Sequence, residues 1–252
     1  MTFAVAAEAY DRFMGRYSVP LAREFVRFAR VDGVRRVLDV GCGPGALTGE
    51  LARVHGARAV AAVDPSPSFV EAAQTRNPEV DVRTASAESL PFEDDAFDAA
   101  LAQLVVHFMT DPVRGLREMA RVTRPGGVVA ACVWDYGGGG APLGVFWNAA
   151  RELDPTVEDE SGLAGAREGH LRELLRAAGL EDVEEGSVAV TVRHATFDEW
   201  WHPYTLGVGP AGAYVAGLDD EQRERLRSLC AERLPRARFD VDAKAWAARA
   251  RL

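Results

Sequence analysis

Apolar positions along this chain gather into short runs that alternate with amphipathic stretches. Val37, Leu38 and Val40 form the kind of run expected of a strand buried on both faces, and it stops in a turn holding Gly41, Gly43 and Gly45. Leu47, Leu51 and Val54 then recur at helical spacing until Gly56. Residues 59–63 predict a second strand, and Ser66-Pro67, with Ser68 three residues before Glu71, marks a helix start running to about Arg76. Residues 80–84 predict a third strand and residues 97–103 a fourth. Asp111-Pro112 caps a helix whose inner face is Leu116, Met119 and Val122, and Pro125-Gly126-Gly127 turns the chain into a fifth strand over 128–134. This alternation predicts an α/β fold, a parallel sheet with right-handed crossovers and the glycine turn near its middle.

The flanks read differently. Ser18 and Pro20 open a predicted helix with Leu21, Phe25, Val26 and Phe28 on its packing face. The aromatic and charged cluster before it, within residues 2–19, suggests a segment that covers something. After Asp135 come a glycine loop at 137–140, a helix over 142–153 carrying Phe146 and Trp147, and an acidic stretch at 158–161 expected to be exposed. A helix over 170–178, an alternating strand over 187–192, the aromatic-rich segment 196–214, a charged helix over 219–234 and a closing strand over 245–252 complete the chain. With no linker and no internal repeat, one domain is expected over 1–252.

Composition narrows the partners. A net charge of −9 and a pI near 5.2 argue against general affinity for nucleic acid or anionic membrane. Lys244 is the only lysine, which reads as a base-composition bias and not as phosphate recognition. Cys42, Cys132 and Cys230 are far apart and odd in number, so neither a disulfide framework nor a zinc site is suggested. With no basic leader and no apolar run near the ~20 residues of a membrane span, a cytoplasmic protein is expected.

The glycine turn carries the chemistry. Gly41, Gly43 and Ala46 satisfy the loose dinucleotide fingerprint, and Asp64 lies 23 positions after Gly41 at the end of the second apolar run, where an acid can grip a ribose. The alternative for Asp64 is a helix cap beside Pro65. The longer string VLDVGCGPG at 37–45, with Asp39 inside the strand, together with VDPS at 63–66 and AESLPF at 87–92, resembles the S-adenosylmethionine-dependent methyltransferases with a Rossmann-like fold. The small-molecule branch, which includes the ubiquinone and menaquinone methyltransferases, is the most similar.

That resemblance implies a doubly wound, mostly parallel sheet of seven strands with an antiparallel C-terminal strand. It also implies a lid over 1–30, a cofactor-binding core over 34–135, and a substrate cap with closing strands over 136–252. The cofactor would be S-adenosyl-L-methionine and the product S-adenosyl-L-homocysteine, with transfer to O, N or C of a small apolar or aromatic molecule. Gly41, Cys42, Gly43 and Gly45 would bed the cofactor, Asp64, Pro65 and Ser66 its ribose, and Ala87 and Glu88 its adenine. Gln103, Tyr10, Arg16 and Tyr17 would close around it.

Alignment supplies most of the rate in such a displacement, so a general base is optional. His107 is the best-placed candidate, with Tyr136 and His202 behind it, against the plain reading that a lone histidine beside Phe108 and Met109 is packing. Tyr136, Trp147, Trp201 and Tyr204 are candidate walls for the acceptor, although about half of the cap's rings are expected in its own core. No metal-ligand spacing is seen, and no Asn-Pro-Pro-Tyr or Asp-Pro-Pro-Tyr string follows the fourth strand. Neither Cys42 nor Cys132 resembles an exposed, activated thiol. The expected partner is a small molecule, with no nucleic acid, no membrane, and a homodimer as the assembly this reading admits. Two rivals stand beside it: an NAD-dependent oxidoreductase, disfavoured by the lack of a Tyr-x-x-x-Lys pair, and a catalytically silent S-adenosylmethionine-binding module.

Overall fold

A computed structural model describes residues 7–252; the first part of the N-terminal covering segment lies outside them. The sheet has seven strands: β1 (Val37–Val40), β2 (Val60–Asp64), β3 (Asp81–Thr84), β4 (Phe97–Gln103), β5 (Thr123–Trp134), β6 (Val183–His194) and β7 (Phe239–Arg251). Their order is β3-β2-β1-β4-β5-β7-β6. The first five pair in parallel, and β7 runs antiparallel to both β5 and β6. β1 thus lies between β2 and β4, with Asp39 level with Ala62 and Leu101. The strand order reverses at β1, a topological switch point where α/β sheets leave a crevice at their carboxyl ends.

Both faces of the sheet are covered, which is why β1, β2 and β4 are buried along their whole length and not in alternation. Val37, Val60, Ala62 and Leu101 face a core closed by α2 (Arg16–Ala29) and α3 (Ala46–His55). Leu38, Val40, Ala61 and Ala100 face the core closed by α5 (Pro112–Val122) and α7 (His170–Ala177). α4 (Pro67–Arg76) follows β2, after a turn in which its N-cap Ser66 is extended.

The structure differs from the sequence pattern at several points, among them the two last strands, which extend to 183–194 and 239–251. The N-terminal helix begins at Arg16, continuous with a short α1 (Ala7–Tyr10) and a π-helical stretch (Asp11–Gly15), so Pro20 lies inside it and not at its start. The Pro125-Gly126-Gly127 turn is a bulge within β5: from Phe97 to Ala99 β4 advances two residues while β5 advances from Thr123 to Val128. Gly126 there donates to the Leu252 carbonyl at 2.8 Å, so the bulge is held by the chain's last residue. The acidic stretch is not uniformly exposed, since Glu160 folds inward to 3% exposure.

The remaining helices are α6 (Gly144–Leu153), α8 (Phe197–Trp201), α9 (Gly209–Gly217) and α10 (Asp220–Arg233). Asp219 and Gln222 form a capping box at the start of α10, which packs on α6. Phe146 of α6 stacks on Tyr204 at 4.5 Å between ring centres, and Trp200 reaches the same ring at 4.8 Å. Among the described residues, no helix is long and apolar enough to cross a membrane.

Candidate active site

A cavity of about 720 Å³ opens at the carboxyl ends of β1, β2 and β4, a size ordinary for a small-molecule site. The glycine turn forms part of its wall and is fixed to β2, because the Gly41 and Cys42 N–H groups both donate to the Val63 carbonyl, at 2.8 and 2.9 Å. The three glycines serve different ends. A Cβ on Gly41 would lie 2.1 Å from Val105 Cγ2, so that glycine allows the loop after β4 to close in. Gly43, at φ +52°, would direct a Cβ into open space on the cavity side. Gly45, at φ +98°, would meet Ala73 and Asn77 of the neighbouring α4 segment; it seats one helix on another and does not line the cavity, contrary to expectation.

Asp64 is buried at the cavity edge and accepts from the Gly43 N–H at 2.9 Å and the Ser66 N–H at 2.8 Å. Two of its roughly four lone-pair sites are thus used, which joins the capping and ribose readings: the carboxylate holds the turn and still has acceptors for a diol. Burial raises its pKa, and those two N–H groups oppose the shift. Pro65, Ser66, Ala87 and Glu88 continue the same wall. The Glu88 carboxylate accepts from the Thr110 N–H at 2.8 Å and so also anchors the loop opposite.

Asp39 went unassigned in the sequence, although a charged residue in an otherwise apolar strand was signal enough. It is 1% exposed, takes the Thr48 hydroxyl on Oδ2 at 2.6 Å, and keeps Oδ1 without a partner. Burial pushes its pKa up to about 7, helped by the nearby Asp64 charge and opposed by the Thr48 bond. Gln103 donates its amide to the Ser18 carbonyl at 3.0 Å and leaves Oε1 unpartnered. Both residues line the cavity. Two unfilled buried acceptors and a carboxylate with acceptor sites to spare fit a nucleoside that carries an ammonium group, as S-adenosylmethionine does. They do not fit a pyrophosphate, whose charge would meet Asp39 and Asp64 directly.

A smaller buried chamber of about 30 Å³ adjoins this cavity, and Tyr10, Leu104 and Phe108 line both. Leu104 sits at φ +60°, a conformation a leucine rarely takes, immediately after β4. His107 lines the chamber and not the larger cavity; burial alone depresses its pKa to about 3, and its Nδ1 has no partner. Tyr136 is on the chamber wall as expected, together with the unforeseen Trp134 and Glu160. His202 is exposed.

Other expected site residues are engaged elsewhere. Arg16 donates to Glu199 at 3.2 Å and pairs with His194 Nδ1 at 2.7 Å, while the Tyr17 hydroxyl pairs with His194 Nε2 at 2.9 Å. These bonds fasten α2 to the end of β6 and to α8, and neither residue lines the cavity. The Trp147 indole N–H is taken by Glu160 at 2.8 Å. Trp201 and Tyr204 pack with Phe146 in the cap's own core at 6% and 2% exposure and line neither space. Ring burial within the cap won over a place on the acceptor wall.

Residues 38–131 match the family described as "Methyltransferase domain". An uncharacterized methyltransferase of Mycobacterium tuberculosis is 35% identical over 152 residues, 60% of this chain and 54% of that relative, so the chain spans about half the length of the mycobacterial proteins it matches. A demethylmenaquinone methyltransferase of Renibacterium salmoninarum is 29% identical over 180 residues, 69% of this chain and 75% of the relative. Among solved structures, an N-methyltransferase 2 of Haemonchus contortus, in complex with phosphomonomethylethanolamine and S-adenosylhomocysteine, superposes with a TM-score of 0.58. It has 17% identity and covers 96% of this chain and 56% of that one. The cyclase SpnF superposes at 0.56 with 24% identity, over 92% and 80%. Residues 38–131 thus match a methyltransferase-domain core, and the fold is the one that solved methyltransferases share.

Proposed function

From that core, we propose that the chain transfers the methyl group of S-adenosylmethionine to an oxygen, nitrogen or carbon atom of a small apolar or aromatic molecule. The observation that carries the reading is the pair of adjoining spaces. One has the polar groups a nucleoside amino acid needs, and the other has aromatic and aliphatic walls, with Tyr10, Phe13, Phe108, Trp134 and Tyr136 among them. A cyclase shares the fold, so the fold alone assigns no reaction.

In this reading Asp64 receives the ribose hydroxyls, Ala87 and its neighbours flank the adenine, and Asp39 Oδ1 and Gln103 Oε1 receive the ammonium group. The bound cofactor supplies an electrophilic methyl on a sulfonium. The chain's contribution is to hold the acceptor in line and keep water out, which is worth effective molarities of roughly 10⁵–10⁸ M. Tyr10 and the Asp11–Gly15 stretch act as the lid, and the segments on either side of β6 act as the cap. The three cysteines are buried and free, as a cytoplasmic setting allows.

Calorimetry with S-adenosylmethionine and with NAD tests the cofactor, and tighter binding of NAD would overturn the reading. Turnover of methyl-labelled cofactor on small phenols, amines and quinone precursors tests the reaction. Cofactor binding with no transfer to any of them would favour the silent module.

A further inference from the structure

The small chamber holds a charge that the packing of the cap does not require. Glu160 is 3% exposed, and the groups meeting its carboxyl are neutral: the Trp147 indole N–H at 2.8 Å and the Tyr136 hydroxyl. A carboxylate buried against neutral donors is costly. Trp147 alone does not explain it, since the Trp200 indole N–H is buried in the same cap with no partner among the described residues. The other charges and hydroxyls nearby are Asp159, next in the chain, and Tyr10 and Tyr204, which adjoin Tyr136.

Two further polar groups on the chamber wall are unfilled. Trp134 is 1% exposed with Nε1 unpartnered, and His107 is 7% exposed with Nδ1 unpartnered. An indole N–H needs an acceptor and a carboxylate needs a donor. A hydroxyl meets both, because it donates one bond and accepts others, whereas an ammonium only donates and an ether only accepts. Tyr10 and Phe108 line both this chamber and the larger cavity, so the junction between them presents ring faces suited to an aromatic acceptor.

We propose, building on the methyl-transfer reading, that the acceptor is a phenol whose hydroxyl donates to Glu160, and that Glu160 takes its proton as the oxygen is methylated. The oxygen bonds to the methyl carbon as that carbon's bond to the cofactor sulfur breaks with its electron pair left on sulfur; the O–H bond breaks with its pair left on oxygen, and the proton passes to the carboxylate, which returns it to solvent. At about 30 Å³ the chamber cannot hold the ring, so the ring lies in the larger cavity against Tyr10 and Phe108, and the hydroxyl sits at the junction, between the space of the methyl donor and Glu160. His107 is the weaker proton acceptor, because burial leaves it unable to hold a proton near neutrality. Glu160 is pushed up to about 7 by burial, against the Trp147 and Tyr136 bonds, and is matched to the task.

Calorimetry of phenol binding, with the protein loaded with S-adenosylhomocysteine and again without it, tests this apart from the cofactor reading. Glu160→Gln is expected to weaken phenol binding by about 10- to 100-fold while leaving S-adenosylhomocysteine affinity unchanged. Wild-type phenol binding should fall as pH drops through about 7, where the carboxylate gains its proton. Trp147→Phe should move that fall to higher pH, because the indole bond holds the carboxyl down. If Glu160→Gln does not fold, the wild-type and Trp147→Phe profiles decide. No phenol binding to wild type, equal affinity in Glu160→Gln, an unmoved profile in Trp147→Phe, or tighter binding of aniline than of phenol would each overturn the proposal. Failure to bind S-adenosylhomocysteine would instead overturn the methyltransferase reading.

Discussion

The cavity and the chamber both bury carboxyl groups, and they do so by different means. In the cavity, Asp64 is met by main-chain N–H groups of Gly43 and Ser66, and Asp39 by Thr48. In the chamber, Glu160 is met by side chains of α6 and of the loop after β5. Main-chain donors belong to the turn, so the acid and its partners are specified together by one short stretch on each strand. Side-chain donors depend on how the cap packs. The first site therefore tolerates little change in backbone, and the second little change in the rings around it.

The sharpest break in this comparison is Gly43→Val. Gly43 lines the cavity, a Cβ there meets no protein atom, and the residue must hold φ +52°, so a branched side chain is expected to abolish cofactor binding while the sheet remains folded. Calorimetry beside circular dichroism checks it. Retained binding would mean the open side of Gly43 is not where the ligand lies.

Tyr204→Ala probes the other region. With its ring 2% exposed and stacked on Phe146, truncation should cost roughly 3–5 kcal/mol of stability, measured by denaturant unfolding. The folded fraction should bind S-adenosylmethionine nearly normally. Unchanged stability with lost turnover would return Tyr204 to the acceptor wall.

Asp64→Ala comes next, with an expected 10- to 100-fold loss of cofactor affinity, about 1.5–3 kcal/mol. Because the carboxylate also ties Gly43 to Ser66, Asp64→Asn separates the two duties. It should keep part of the tie and lose the charge-assisted bonds to the ligand, giving an intermediate affinity by calorimetry. Wild-type affinity in Asp64→Asn would assign the whole effect to the turn, whereas affinity equal to that of Asp64→Ala would assign it to the bonds with the ligand.

This contrast also explains what could be read from the chain. The strand, turn and acid of the cavity stand within Val37 to Ser66, and their spacing follows from strand length and crossover geometry, so Gly41, Gly43, Asp64 and the place of β1 were legible. Glu160 was not, because it stands in an acidic run whose outward look is ordinary, and its burial depends on Trp147, 13 residues away, being turned toward it. Arg16 and Tyr17 failed for a similar reason: their partner His194 lies 178 and 177 positions on, at the end of β6. Gly45 was misassigned because a positive φ serves helix packing as readily as ligand approach.

The smallest expected effect lies where the two regions meet. Tyr10 packs edge-on against Phe69 of α4 at 5.3 Å, and the next residue, Asp11, forms a two-point ion pair with Arg76 at the end of that helix. Arg76 also donates to the Pro44 carbonyl in the glycine turn at 2.9 Å, so one guanidinium joins the covering segment to the cofactor bed. The pair is partly exposed, with side-chain exposures of 43% and 33%, so water screens it and its worth is at most about 1 kcal/mol. Asp11→Asn should therefore speed S-adenosylmethionine dissociation by no more than about five-fold and leave association nearly unchanged, because the segment is released without altering the bed. Arg76→Ala should do more, since it also frees Pro44. Stopped-flow measurement on the two variants separates these contributions, and equal rates in wild type and Asp11→Asn would mean that the segment covers the cavity without holding what lies in it.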